Sequence, residues 1–236
     1  MNKNQPSLMC SPKSIGIIMD GNRRWAREQN LPVFEGHRRG YEKLKKVASW
    51  CKTASVRNLI VYAFSTENWD RTKQEVSFLM DLFRELLFKD TNWLKKENIK
   101  IKFVGQIERL ALDIQQGIQR LEEQTKNGAQ ALYVAISYGG RAEILHALKK
   151  ITCEKTPEEI QAIDEKEFSR YLWTQGMPDP DLIIRTSGEN RLSNFLPWQS
   201  VYSELFFCKT FWPAFAKEDF LVILEQYNNR QRRKGR

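Results

Sequence analysis

The chain has 236 residues, of which 41% are hydrophobic and 28% charged, enough apolar residues for a sizeable core beneath an ordinary charged surface. Its 38 Lys and Arg outnumber 29 Asp and Glu, so the net charge of +9 points to anionic partners: nucleic acid, acidic lipid or phosphorylated small molecules. Cys10, Cys51, Cys153 and Cys208 lie far apart with no Cys-x-x-Cys pair, which disfavours a zinc site and suits free thiols in the cytoplasm.

Residues 1–14 are polar and lack the apolar stretch of a signal peptide; they are expected to form a flexible N-terminal segment ahead of one domain spanning 15–236. Strands are expected at 15–19, 59–64, 99–104, 131–137, 181–186 and 203–208, several of them continuous apolar runs that suit burial on both faces. Between them, Tyr41, Leu44, Val47, Ala48 and Cys51 recur at helical spacing. So do Val76, Leu79, Met80, Phe83, Leu86 and Leu87, then Leu110, Ile114, Ile118 and Leu121. Residues 141–151 and 220–227 also read as helices, and 164–180 as irregular. The alternation predicts a single α/β domain whose six-stranded, mostly parallel central sheet is flanked by helices. Ligands of such sheets bind beyond the carboxyl ends of the strands. No apolar run approaches the roughly 20 residues of a membrane span, so membrane contact would be peripheral.

The first strand runs into Asp20-Gly21-Asn22-Arg23-Arg24-Trp25. Gly21 permits a tight turn, the following helix would aim free N–H groups at an anion, and two Arg offer forked donors for phosphate. A carboxylate among phosphate binders makes sense if Asp20 holds Mg²⁺; a helix cap before a solvated basic face is the competing explanation. The second strand runs into Ser65-Thr66-Glu67-Asn68-Trp69-Asp70-Arg71, where the hydroxyls either cap a helix or, with Asn68 and Arg71, orient a substrate head group against Trp69. At the fifth strand, Arg185, Ser187, Arg191 and Ser193 can converge on one diphosphate around Gly188. Glu204, in an apolar-rich run, is either a metal-associated carboxylate or an outward, ion-paired one. His37 opens a helical pattern and reads as structural unless a site gathers around it; His146 reads as structural.

In order along the chain, Met19-Asp20-Gly21-Asn22-Arg23-Arg24-Trp25-Ala26, Gly36-His37, residues 62–69 with Arg71 and Glu75, Tyr138-Gly139-Gly140-Arg141 and residues 181–207 resemble the cis-prenyltransferases, the family of undecaprenyl diphosphate synthase. The resemblance runs from about residue 15 to the C-terminus. It implies an isoprenyl transferase that condenses an allylic diphosphate with isopentenyl diphosphate units into a cis-polyprenyl diphosphate, of the undecaprenyl type that serves as lipid carrier precursor for cell-envelope glycans. It implies Mg²⁺ at Asp20 and Glu204, and an allylic diphosphate cradle of Gly21, Asn22, Arg23 and Arg24 beside Trp25 and His37. Asn68 resembles the residue for proton removal, surrounded by Ser65, Thr66, Glu67, Trp69 and Arg71. Arg185, Arg191, Leu192 and Ser193 resemble the isopentenyl diphosphate site. A homodimer is implied too, each C-terminal Arg233-Lys234-Gly235 reaching the partner's site, in a cytoplasmic protein touching the inner membrane face. The family usually has Arg four residues before the His of Gly-His; here Val33 stands there, and Arg38 and Arg39 are the candidates to compensate. A nucleic-acid binder would interleave aromatic platforms with a basic stripe, a pattern the strand-end clusters lack. The Asp-rich motif of the all-helical prenyltransferases, Walker A and His-Glu-x-x-His are absent.

Overall fold

The computed structural model describes residues 11–230. Its elements follow the alternation read from the sequence. β1 (Ser14–Ile18) leads to α1 (Asn22–Glu28) and α2 (Val33–Thr53), and β2 (Asn58–Ser65) leads through a 3-10 turn to α3 (Lys73–Phe88) and α4 (Asn92–Glu97). β3 (Ile99–Val104), α5 (Leu112–Thr125), β4 (Gln130–Tyr138) and α6 (Gly140–Glu154) come next. After the short α7 (Pro157–Gln161) and α8 (Glu165–Phe168), the chain ends its described part with β5 (Leu182–Arg185), β6 (Glu204–Phe207) and α9 (Lys217–Asn229).

The six strands form one sheet in the order β3-β4-β2-β1-β5-β6, and every pairing is parallel. All nine residues of β4 and all five of β1 are buried, which is why those runs carry no polar alternation. The larger core packs α2, α3, α5 and α9 on one face through Leu44, Val47, Leu79, Phe83, Ile118 and Phe220. A smaller cluster of Ile60, Tyr133, Phe195 and Leu196 fills the other face. At the β3 edge, the outward Ile101 and Phe103 N–H groups donate to Thr125 Oγ1 (3.1 Å) and Glu122 Oε1 (2.7 Å) of α5, which closes that edge to further pairing.

Three expectations change. The flexible N-terminal segment cannot extend to residue 14: the Lys13 and Ser14 N–H groups both donate to Asp181 Oδ2, at 2.7 and 3.0 Å, and Ser14 already belongs to β1. Residues 1–10 lie outside the described part. α2 begins at Val33 and not near 38, because Gly36 and Gly40 let its first turns lie against α1; a Cβ at Gly36 would stand 2.1 Å from the Asn22 carbonyl oxygen. The stretch 164–180 carries α8 and a 3-10 turn at Ser169–Tyr171 before it becomes irregular.

Candidate active site at the strand ends

β1, β2 and β5 deliver their carboxyl ends to one cavity of about 500 Å³. Asp20, Asn22, His37, Ser65, Glu67, Asn68, Arg71, Arg185 and Ser193 all line it, so three motifs distant in sequence meet at one place. β2 bulges where its register with β4 shifts at Tyr62–Ser65, and the bulge puts Tyr62 and Ala63 into the same wall.

Asp20 is the centre of the charged half. Its Oδ2 accepts from Arg185 Nη2 at 2.9 Å and its Oδ1 faces Arg24 Nη2 at 3.2 Å. Burial alone raises its pKa, but the Arg185 hydrogen bond and charge, with Arg24, outweigh that and hold the carboxyl below its usual value. The Asp20 backbone carbonyl is pinned by Thr186 Oγ1 (2.6 Å) and the Trp212 N–H (3.0 Å). Arg185 is 4% exposed, and its Nη1 donates to the Arg191 carbonyl (2.5 Å) and Ser193 Oγ (2.7 Å). Its Nε is buried without a hydrogen-bond partner among the described residues. Arg24 donates to Ser187 Oγ (2.6 Å) and Glu189 Oε1 (3.0 Å). Gly21 is required here: its φ is 104°, and a Cβ would stand 2.7 Å from the Phe211 ring. The loop that receives Arg185 is itself strained, with positive φ at Ser187, Ser193, Asn194 and Leu196.

A second ionic cluster lies across the cavity. Glu75 on α3 joins His37 Nε2 (3.2 Å), Arg71 Nη1 (2.8 Å) and Arg23 Nη1 (3.7 Å). Burial works to raise the Glu75 pKa, but Arg71 and His37 bring it below its ordinary value. His37 is pushed down, mainly because burial strips its charged form of water, and Glu75 only partly offsets this. Glu75 was legible only as part of the resemblance; its position three residues after Thr72, whose Oγ1 accepts from the Glu75 N–H at 3.3 Å, reads from sequence as a plain helix start.

The structure separates some residues expected together. Trp69 does not wall the cavity: it donates to Ser137 Oγ (3.0 Å) and packs edge-on against Phe64, at 4.9 Å between ring centres. Thr66 sits over Gly139, where a Cβ would approach its Oγ1 to 2.5 Å. Asn68 both lines the cavity and accepts from the Ser65 N–H at 3.2 Å, so a capping role does not take it away from the cavity. Arg191 points outward, 60% exposed, and pairs with Glu189; only its backbone carbonyl serves the site, through Arg185. Leu192 packs against the smaller core and Trp25 is half-buried on α1 outside the lining. Arg38 pairs with Glu85 and Arg39 with Glu35, so neither replaces the cation missing at Val33. Asn194, unforeseen as a site residue, ties the loop to the β2 end by donating to Glu67 Oε1 (3.0 Å) and accepting the Arg141 N–H (2.9 Å).

Glu204 requires a correction. It opens β6, level with Leu182 of β5 and, through it, Ile15 of β1, whereas Asp20 follows the opposite end of β1. The level of Ile15 is about 10 Å below Ile18 along the strand. Glu204 pairs instead with Arg230 at the end of α9. One ion cannot be held by both carboxylates of the same chain. Among the described residues no three Asp, Glu, His or Cys side chains gather as a metal cage. Asp20, an ionised carboxylate lining the cavity, is the residue that would hold a Mg²⁺ ion, with the rest of the ion's shell left to ligands other than side chains.

Below the charged half the wall turns apolar. Met19, Ala63 and Leu79 are shared with a pocket bounded by Tyr41, Leu44, Leu82, Phe83, Leu86, Val134 and Trp212, between the sheet, α2 and α3.

Comparison with known proteins gives one family. Residues 18–235 match the family model Prenyltransf, that of undecaprenyl diphosphate synthase. An isoprenyl transferase of Thermotoga maritima is 45% identical over 228 residues, 96% of this chain and 98% of that relative. The tritrans,polycis-undecaprenyl-diphosphate synthase (geranylgeranyl-diphosphate specific) of Thermoplasma acidophilum is 47% identical over 95% of this chain and 89% of its own length. The crystal structure of lavandulyl diphosphate synthase from Lavandula x intermedia in complex with dimethylallyl diphosphate superposes with a TM-score of 0.90 at 33% identity, covering 96% of this chain and 99% of that one.

Proposed function

The chain belongs to the cis-prenyltransferases, the undecaprenyl diphosphate synthase family, and from that premise we propose that it is a Mg²⁺-dependent enzyme that extends an allylic diphosphate with several isopentenyl units into a long polyprenyl diphosphate of the undecaprenyl type. One observation carries the reading: an ionised Asp20, flanked by Arg24 and Arg185, lines a cavity that shares Met19, Ala63 and Leu79 with an apolar pocket. That is the shape of a molecule with a diphosphate head and a hydrocarbon tail.

The allylic carbon–oxygen bond breaks with its electron pair leaving on the diphosphate. The double bond of isopentenyl diphosphate attacks the allylic carbon, and a proton leaves the adjacent carbon to restore a double bond. Arg24, fixed by Ser187, is set in place before charge develops on the leaving group, so little reorganisation is needed. A Mg²⁺ ion held by Asp20 would add further stabilisation of that charge. The apolar wall of Met19, Ala63 and Leu79 shields the allylic carbon from water. In this reading Arg185 with Ser193 holds the second diphosphate, and Asn68, which lines the cavity, takes part in removing the proton.

A lipid carrier precursor for cell-envelope glycans is the product we infer. No helix among the described residues is long and apolar enough to cross a membrane, so delivery to the inner membrane face would use peripheral contact, aided by the charge of +9. Exposed Val201 and Tyr202 (70% and 74%) beside the edge strand β6 support a homodimer through that edge. Across such an interface Glu204 could serve a neighbouring site that it does not reach in its own chain. The tail at 233–235 lies outside the described residues. Purified protein incubated with Mg²⁺, isopentenyl diphosphate and allylic starters from dimethylallyl to geranylgeranyl length, with products separated by chromatography, tests the reading. Metal-dependent growth of a long product is the expected result; no consumption of isopentenyl diphosphate with any starter overturns it.

A further inference from the structure

β4 ends in a backbone conformation that its sequence makes costly. Ser137 is fully buried with a φ of 46°, and among the described residues it is the one position inside a strand with a positive φ. It is also an extra residue: Phe64 of β2 pairs with Ile136 and Ser65 with Tyr138, so Ser137 is left over in a bulge. Glycine takes such a φ freely, whereas a side chain is strained there. What serine adds at this place is a hydroxyl.

The hydroxyl has a defined partner. Ser137 Oγ accepts from Trp69 Nε1 at 3.0 Å, while the Ser137 carbonyl accepts the Gln106 N–H at 3.2 Å, which fixes the bulge from the β3 side. Trp69 is held on two further sides, edge-on to Phe64 at 4.9 Å and under the Arg109 guanidinium, 5.2 Å from the ring centre. Trp69 belongs to the 3-10 turn Thr66–Asp70. Such a turn sends successive side chains about 120° apart. Fixing Trp69 against β4 therefore sets the direction of Asn68, which lines the cavity together with Glu67 and Arg71.

We infer that Ser137 is a positioning residue for the reaction: its hydroxyl, carried on a strained bulge, holds Trp69 and thereby aims Asn68 into the cavity. This rests on the part in proton removal proposed above for Asn68. The test separates the hydroxyl from the backbone. Ser137→Ala removes the hydroxyl and keeps the strain; Ser137→Gly removes the hydroxyl and relieves the strain. Ser137→Gly should therefore melt a few degrees above Ser137→Ala. Both should nonetheless slow the single-turnover addition of one isopentenyl unit equally, by up to about 10²-fold, the cost of a misplacement of about 1 Å. Trp69→Phe, which keeps a ring against Phe64 and gives up the N–H, should slow it to the same extent, and combining it with Ser137→Gly should add nothing further. In all of these the KM for the allylic diphosphate should stay at the wild-type value. Isopentenyl diphosphate deuterated at the carbon that loses its proton should show a larger isotope effect than with wild type. Rates that follow the melting temperatures, or an unchanged isotope effect, would make Ser137 purely structural and overturn the proposal. A slow Asn68→Ala beside Ser137 variants of wild-type rate would overturn the positioning alone. Asn68→Ala at the wild-type rate would overturn the part of Asn68 in proton removal and the positioning with it, while a wild-type protein that consumes no isopentenyl diphosphate would remove the activity itself.

Discussion

Asp20 and Glu204 are both carboxylates paired with arginine, on strands two places apart in the same sheet. Asp20 meets an arginine that is 4% exposed and tied to a strained loop, at the strand ends where the cavity opens. Glu204 meets Arg230, whose side chain is 43% exposed, at the opposite end of the strands. The residue types match; the surroundings do not. A buried, multiply bonded arginine keeps its charge directed at one point, whereas an exposed pair is screened by water and contributes little. Chemistry here follows the end of the strand at which a carboxylate stands.

The largest expected effect comes from breaking the Asp20 side. Asp20→Ala should lower turnover at least ~10²–10³-fold, through lost stabilisation of the departing diphosphate. Arg185 keeps its bonds to Ser193 and the Arg191 carbonyl, so the far-ultraviolet spectrum should be unchanged. Near-normal turnover in a Mg²⁺-replete assay would remove Asp20 from the mechanism. Next in size is Gly21→Ala. A side chain at φ 104° meets strain of about 1–3 kcal/mol, and the Phe211 ring must also move. At about 2–4 °C per kcal/mol for a chain of this size, thermal unfolding should drop by several degrees. An unshifted melting curve would mean that the turn after β1 can be rebuilt without a positive φ.

The contrast between these two ends shows what was legible in the sequence. The central strands were, because parallel strands buried on both faces read as unbroken apolar runs, as in residues 131–137; the edge strand β3 showed instead as alternation, Ile99, Ile101 and Phe103 against Lys100 and Lys102. The cavity's residues were legible wherever a polar cluster follows such a run abruptly, as Ser65-Thr66-Glu67-Asn68 does. Side-chain direction was not. Trp69 and Asn68 are neighbours, yet one packs on Phe64 and the other faces the cavity, a difference set by the 3-10 turn and not by composition. The helices α4 and α7 are too short to show a repeating apolar face, although Thr156-Pro157 and Glu159 spell a capping box for α7. Glu204 was misplaced because a residue inside an apolar run reveals nothing of which end of the sheet it occupies.

His37 sharpens the comparison by testing whether the second cluster is as dry as its burial indicates. Its pKa lies below the ordinary 6.5, burial being the main cause and the charges of Arg71 and Arg23 adding to it, against the pull of Glu75. The unfolded chain therefore binds this proton more readily than the folded one. The contribution of His37 to stability is fully present above pH 6.5 and is lost as the pH falls below it. Denaturant unfolding between pH 7.5 and roughly pH 5.5 should show wild type losing stability that His37→Asn retains. Parallel pH curves for the two proteins would mean that water reaches the imidazole.

The smallest effect on stability is expected at Glu204. Glu204→Gln leaves the Arg230 guanidinium a neutral acceptor and removes one surface ion pair, worth about 0–1 kcal/mol. Melting should shift by no more than a few degrees. A Mg²⁺ titration of turnover should overlay that of wild type if each site is built from one chain, since Glu204 stands level with Ile15 and Asp20 lies past the far end of β1. Two measurements separate the alternatives. Light scattering reports whether the protein is a dimer, and the titration reports whether the metal feels Glu204. A shifted titration in a dimer would place Glu204 in the site of a second copy, reached across the β6 edge. A shifted titration in a monomer would require the strand register itself to be different, because no rotamer of Glu204 spans the length of β1.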